Sequence, residues 1–294
     1  MNDYHVPVFA DEIIKLLLSS NDGIYVDATL GGGGHSEKIL RQLSPQGLLL
    51  GIDTDDEAIH SASNHLAEFT NKIFVQENFR NIAEVLDKLQ IEQIQGILFD
   101  LGVSSHQIDE PSRGFTFRND VLLDLRMNRQ QSLSGYNVIN EYDEKELADI
   151  FYYFGGERFS RRIAKRIVET RSNKAITTTG ELSEIVRKCV GGKFLNKSLA
   201  RIFQAVRIVV NDELTSLELG LKAAVQHLSV GGRIVVMSYH SGEDRFVKEF
   251  FKTCSGEEYP SLKLVTKKPI QASDEETQKN PRSRSVKIRV AERI

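Results

Sequence analysis

Three aspartates each close an apolar run of the chain: Asp27 in "YVDATLGGGGHS", Asp53 in "LLLGID" and Asp100 in "ILFDLG". A carboxylate at such a point accepts hydrogen bonds from paired hydroxyls or neutralises a cation. Gly31, Gly32, Gly33 and Gly34 follow the first of them. Glycines tolerate positive φ and let the backbone approach a ligand, so such a turn suits a dinucleotide, a nucleoside triphosphate or a sulfonium cofactor. No Gly-Lys-Ser/Thr follows, which excludes a Walker loop. The dinucleotide fingerprint fits by half: Gly31 and Gly33 are in place, but Ser36 stands at its third glycine.

The acids narrow the choice. Asp27, inside the turn, would repel a pyrophosphate but attract a cation such as the ammonium of a methionine moiety. Asp53 lies about 20 residues on, where a carboxylate accepts ribose hydroxyls. Together with Gly33 and Gly34 this is the arrangement of an S-adenosylmethionine site. Asn78 and Phe79 end the next strand, where a side chain can bracket the adenine, and Asp100 ends the fourth, facing the same crevice. The alternatives are a tight structural turn, a helix cap at Asp100, and a nicotinamide-dependent oxidoreductase, against which Asp27 and Ser36 both argue.

These residues need a framework. The periodicity predicts strands at "GIYVDATL", "GLLLGID", "KIFVQENF" and "IQGILFDLG". Helices are expected at "HSEKILRQL", at "DDEAIHSASNHLAEF" capped by Asp55 or Asp56, and at "NIAEVLDKL". Such alternation implies right-handed βαβ units and a parallel sheet. After Asp100 a loop-like stretch gives way to four helical patterns, and the α/β pattern resumes with "DELTSLELGLKAAVQHL", the turn "VGG" and the strand "RIVVMSYH". The tail offers "LKLVTKK" and "SVKIRVAER" as an antiparallel pair, with "QASDEETQKNPRSRS" as a surface loop. The expected organisation is a discontinuous sheet domain, 1–108 and 212–294, with an inserted helical domain, 109–211.

Composition agrees: 294 residues, 40% apolar and 27% charged, describe an ordinary globular chain. No apolar run approaches the roughly 20 residues of a membrane span, and the start lacks the pattern of a signal peptide. Cys189 and Cys254 form neither a metal spacing nor a disulfide framework, so a cytoplasmic protein with reduced thiols is expected. Residues 110–210 carry 18 Lys and Arg against 12 Asp and Glu, whereas the remainder carries 20 against 29. A basic middle in an acidic frame suits a polyanionic partner, or is a chance division of a solvated surface. Arg158, Arg161, Arg162, Lys165 and Arg166 recur at helical spacing, with Phe159, Ile163 and Ile167 on another side. Such a stripe neutralises phosphates or merely faces solvent. Phe115 and Phe117 are either stacking platforms for an extruded base or ordinary loop packing. His5, His35, His106 and His240 show no ligand spacing, so no metal site is expected.

Several segments together resemble one family: "HVPVF", "DATLGGGGHS", "DLGVSSHQID", "RGFTF", "GERFSRRIAKRIV", "RIFQAVRIVVNDEL", "SYHSGEDRFVK" and "NPRSRSVKIRVAER". The chain is similar, over essentially its whole length, to the bacterial 16S rRNA (cytosine-N4)-methyltransferases of the MraW type. The resemblance implies an α/β fold, a Rossmann-like class I methyltransferase sheet, mostly parallel with a terminal antiparallel strand, carrying an inserted all-helical domain. It implies S-adenosyl-L-methionine as cofactor, held by Gly33, Gly34, His35, Asp53, Phe79, Asp100 and Gln107. It implies 16S rRNA as partner, within the small ribosomal subunit, and the exocyclic N4 of a decoding-centre (P-site) cytosine as methyl acceptor. The family's "DGPLDMRMD" reads "DVLLDLRMN" here, keeping Asp124, Arg126 and Met127 but placing Asn128 at the final acid.

Transfer to N4 needs an acceptor for the positive charge that develops on the amine. The Pro-Pro-aromatic turn common in exocyclic-amine methyltransferases is absent after Asp100, which leaves Asp100, Asp124 or a backbone carbonyl. It also leaves the alternative of a non-catalytic, RNA-binding ribosome assembly factor that retains a cofactor pocket. Cytosine-C5 chemistry would need a cysteine nucleophile beside the cofactor, and neither cysteine is placed for it.

Overall fold

Residues 7–256 and 261–294 are described in a computed structural model, so His5 of the first motif lies outside the described residues. The chain divides into two compact units, one of residues 1–102 and 214–294 and the other of Val103–Glu213. Residues 103–108, Gln107 among them, fall in the second unit rather than in the sheet domain expected to hold them.

In the first unit the strands are β1 (Ile24–Asp27), β2 (Leu48–Asp53), β3 (Lys72–Gln76), β4 (Ile94–Asp100), β5 (Leu228–Ser238), β6 (Leu262–Leu264), β7 (Ile270–Gln271) and β8 (Lys287–Arg293). Their order is β3-β2-β1-β4-β5-β8-β6, with β7 also on β8. The pairs from β3 to β5 are parallel, and β8 runs antiparallel to β5, β6 and β7. This is the class I methyltransferase sheet that the sequence led us to expect. Its helices before residue 103 are α1 (Ala10–Leu17), α2 (Gly34–Leu40), α3 (Asp56–His65) and α4 (Ile82–Lys88).

Both faces of the sheet are covered, which is why its strands read as continuous apolar runs. Val26, Leu50, Ile97 and Phe99 pack on one side with Val85 and Leu86 of α4. Tyr25, Leu49 and Leu98, one residue out of step, pack on the other with Ile13 and Leu17 of α1 and Ile39 of α2. Asp55 caps α3 by accepting from Glu57 N at 3.2 Å.

The second unit contains α5 (Ser105–Asp109), α6 (Gly135–Glu141), α7 (Glu144–Tyr153), α8 (Ser160–Arg171), α9 (Thr179–Cys189) and α10 (Leu195–Val210). Leu147, Phe151, Ile163, Ile167, Leu182, Val186, Ile202 and Val206 form its core. The helix starts are written locally: Ser134/Asn137, Asp143/Glu146 and Thr178/Glu181 are reciprocal capping boxes. After it come α11 (Glu213–His227), α12 (Ser241–Cys254) and α13 (Asp274–Lys279).

Several expectations need correction. α1 and α6 were not anticipated. The stretch after Asp100 contains α5 and a 3₁₀ turn at Pro111–Arg113, and the polar tail segment contains α13 and a second 3₁₀ stretch, Pro281–Ser285. "VGG" is not a turn before β5 but a bulge within it: Leu228 and Arg233 face Ile94 and Gly96, and Gly231 takes φ +79°.

The segment 113–135 is built around polar groups. Arg113 is fully buried and donates to the carbonyls of Arg126 and Met127 at 3.2 and 2.7 Å. Leu125 adopts φ +62°, unusual for a branched residue. Asn211 accepts from Met127 N at 2.7 Å and donates to Leu125 O and Arg207 O at 2.8 and 2.9 Å. Asn211→Ala should therefore destabilise this unit by about 1–3 kcal/mol, the cost of stranding such groups. Denaturation melts of both proteins measure it, and an unchanged midpoint would show that water replaces the amide.

Candidate active site

Asp27, Asp53 and Asp100 are the last residues of β1, β2 and β4, three adjacent strands of the sheet. The loop after β1 is pinned at both sides: Ala28 N donates to Leu98 O and Leu30 N to Ile52 O, each at 2.9 Å. Gly31 (φ +50°) then donates its N–H to Asp53 Oδ2 at 2.8 Å, and Asp55 N reaches Oδ1 at 3.0 Å. Burial pushes the Asp53 carboxyl up to about 6, although both backbone donors pull the other way. A desolvated acceptor at a strand end beside a glycine turn is what a ribose diol requires.

Asp27 is 1% exposed, with Oδ2 accepting from Ser36 Oγ at 2.7 Å and Oδ1 from Thr29 N at 3.3 Å. Burial raises its pKa against the opposing effects of His35 and Ser36. The expected open countercharge is thus corrected: Asp27 ties the start of α2 to the end of β1 and shapes the loop from beneath. Gly33, at φ +84°, is constrained in a different way from the one expected. A Cβ there would lie 2.9 Å from Leu66 Cδ1, so a larger residue would strike the end of α3. A Cβ on Gly34 would lie 3.3 Å from Pro7.

Asp100 is the centre of a second cluster. Tyr239 Oη donates to its Oδ1 at 2.8 Å, and His35 Nδ1 stands 3.5 Å from Oδ2. His35 Nε2 lies 2.9 Å from Val8 O; a carbonyl only accepts, so that nitrogen carries hydrogen. Burial raises the Asp100 pKa, while His35 and the Tyr239 hydroxyl oppose the rise. Tyr239 was not identified from sequence. The available signal was strand order: β5 pairs with β4, Asp100 opposite Met237, which carries the residue two beyond to the same edge. Beyond Tyr239, His240 and Glu243 form the cap of α12, which gives His240 a structural role.

Other expected residues fall as follows. Phe79 is half-buried, edge-on to Phe99 at 5.6 Å, and a Cβ on Gly220 would lie 2.9 Å from its ring. Gln107, in the helical unit, is buried; its Oε1 accepts from Ser104 N at 3.0 Å in the cap of α5. Asp124 is corrected as a free acceptor, because Arg126 binds both its oxygens, at 2.5 and 3.2 Å. Asn128 accepts from Gln130 N at 2.8 Å and shapes the turn. Phe115 and Phe117 are half-buried and pack on the helical core, Phe117 5.7 Å from Phe203 and Phe115 under Arg113 at 6.0 Å. Burial raises the thiol pKa of Cys189 and of Cys254, which leaves neither an activated nucleophile.

On α8 the stripe is real as a surface. Arg161, Arg162, Lys165 and Arg166 are exposed, while Ile163, Ala164 and Ile167 face the core. Arg158 precedes the helix and lies over Phe194 at 4.8 Å. Arg166 pairs with Glu169 at 3.3 Å.

Comparison with known proteins gives a consistent picture. The MraW methylase family matches residues 2–294. A protein of Clostridium botulinum (strain Loch Maree / Type A3) named ribosomal RNA small subunit methyltransferase H is 47% identical over 306 aligned positions, covering 99% of both chains. One of the same name from Caldicellulosiruptor saccharolyticus is 45% identical over 304, again covering 99% of each. Among solved structures, an rRNA methylase from Streptococcus thermophilus superposes with a TM-score of 0.44 at 12% identity, over 97% of this chain and 93% of that one. The family match and the curated relatives both run the length of the chain, which therefore belongs to the MraW methylase family.

Proposed function

We propose that this chain is an S-adenosylmethionine-dependent methyltransferase of small-subunit ribosomal RNA, and that it methylates the exocyclic N4 of a decoding-centre cytosine. The methylase family and relatives named for small-subunit rRNA support the reaction and the substrate class. The observation that carries the rest is the pair of half-buried carboxylates at the ends of β2 and β4, on either side of β1, one tied to the glycine turn and one bonded by Tyr239. Bound S-adenosylmethionine supplies the electrophilic methyl carbon. Asp53 accepts the ribose hydroxyls, Gly31 to Gly34 give the backbone close approach, and Asp27 holds that turn in shape. Phe79, beyond the end of β3, would bracket the adenine.

Asp100 is the acceptor we assign to the cytosine amine. An ionised carboxylate there takes a hydrogen bond from N4 and offsets charge as it develops on the nitrogen. Tyr239 holds it in place. Asp124, paired with Arg126, is a poorer acceptor. Nucleoside mass spectrometry of small-subunit RNA from cells with and without the protein should show N4-methylcytidine only in its presence. Asp100→Asn should reduce transfer by about tenfold or more. A methyl group at C5 instead, or none, would overturn the proposal.

Asp53 gives a pH-dependent test. Its folded-state value, about 6, lies above the 3.8 of an unfolded aspartate, so its charge penalises the ligand-free fold at neutral pH; that penalty shrinks as pH falls below about 6 and is gone only below the unfolded value. Ribose donors need the ionised form, so cofactor affinity should be level above about pH 7 and fall towards tenfold per unit below about 6. Calorimetry of the wild type and Asp53→Ala measures this. The variant should lose about 1–3 kcal/mol at neutral pH, and its affinity should no longer show the fall below about pH 6.

The α8 stripe is assigned to RNA phosphates. Replacing Arg162 and Arg166 together by Ala should flatten the salt dependence of RNA binding by about 1.4 units, at roughly 0.7 per single-stranded phosphate contact. Thermal stability and cofactor affinity should hold, because exposed charges contribute little to folding. An unchanged slope with a lower melting temperature would make the stripe structural.

A further inference from the structure

Among the described residues the exposed aromatic side chains are Tyr136, Tyr152, Tyr153 and Phe194, and all four belong to the helical unit. Three of them come from segments joined around one turn. Tyr152 and Tyr153, 57% and 69% exposed, end α7 with their rings edge-on at 5.2 Å. The chain then turns tightly onto α10: a Cβ on Gly155 would lie 2.5 Å from Arg201 O, Gln204 donates to Phe154 O at 3.0 Å, and Gly156 takes φ +63°. Glu157, fully buried, accepts from Phe159 N and stands 3.8 Å from Arg201. Arg158 emerges next and lays its guanidinium over Phe194, which is 36% exposed at the start of α10. Lys193 and Lys197, one before and one three residues after Phe194 in the chain, are also exposed.

We propose that this aromatic and cationic rim, formed by Tyr152, Tyr153, Arg158, Phe194, Lys193 and Lys197, is a stacking platform for unpaired nucleotides of the RNA substrate. The inference rests on the reading of the chain as an rRNA methyltransferase and extends it to a surface that the charge stripe alone does not specify. Apolar rings of this size normally face the interior. A ring left in water beside cations offers a face to a base, with little rotamer entropy to lose on contact. Arg158 adds a second flat surface, a planar cation that stacks and also meets phosphate. The charge at the rim is net positive: Glu157 is buried and matched by Arg201, and Asp149, a turn back on α7, is the nearest exposed acid in sequence. Bases within a duplex have no free faces, so the occupant is single-stranded.

The test uses the full chain and three labelled probes read by anisotropy: a single-stranded RNA from the decoding region, the same strand with abasic nucleotides, and its duplex. Tyr152→Ala with Tyr153→Ala should weaken binding of the first about tenfold or more, leave the abasic strand unaffected, and leave the salt slope unchanged. Tyr152→Phe with Tyr153→Phe should restore affinity, since a phenyl ring stacks as well. Phe194→Ala should show the same selectivity and gives an independent readout should the tyrosine pair disturb the fold. Unchanged affinity in both alanine proteins, equal losses for intact and abasic strands, or tightest binding of the duplex would each overturn the proposal. Methyl transfer to small-subunit RNA by the wild type is measured in parallel. Its absence would sink the functional reading, while the probe series still decides whether the rim stacks bases.

Discussion

The candidate site depends on withdrawing three carboxylates, one wholly and two in part, from water at the ends of adjacent strands. Burying a charged group is costly unless hydrogen bonds replace its solvent, and here the replacements come from the loop that must be shaped. Ser36 and Thr29 serve Asp27, Gly31 and Asp55 serve Asp53, and Tyr239 serves Asp100. Each bond that satisfies an acid also fixes a piece of backbone. The glycines are needed because the chain, so tied, has to pass through positive φ at Gly31 and Gly33. The raised pKa values of Asp27, Asp53 and Asp100 show that the compensation is incomplete. An acceptor left short of donors suits a ligand rich in hydroxyls and amines.

Within that group the acids divide by depth. Asp27 is sealed and acts only through the loop. Asp53 and Asp100 retain some access, and each keeps capacity for a further donor after its present bonds. Part of this division comes from α2, whose Ser36 bonds Asp27 directly. The same aspartate, at the same place in a strand, is therefore a buried brace in one case and a partly accessible acceptor in two.

The helical unit solves a different problem, namely how to hold a long irregular segment still. Residues 113–135 carry little regular structure, so their backbone groups need partners from elsewhere. The guanidinium of Arg113, buried among carbonyls, and the amide of Asn211 provide them. Cations and aromatic rings that are not used in this way remain at the surface of α7, α8 and α10. A side chain's type does not say which group it joins. Arg113 is structural and Arg162 is exposed, although both are arginines in a basic stretch.

The sequence by itself determined the alternation of elements, the parallel sheet with its antiparallel edge, the glycine turn and the strand-end acids, because each is written in local periodicity or in residues adjacent along the chain. Capping boxes such as Thr178/Glu181 are of the same kind. It also placed the cationic stripe on one face of α8, since 3.6-residue spacing alone fixes that. Only the tertiary structure decided which acids are accessible. Asp124 lost its candidacy to Arg126, two residues away, through a side-chain conformation no pattern encodes. Phe115 and Phe117 became half-buried by packing on a helical core built from segments far along the chain. Tyr239 joined Asp100 across 139 residues of chain because β5 lies beside β4. Burial and long-range pairing depend on what else occupies the same volume, which a linear pattern does not record.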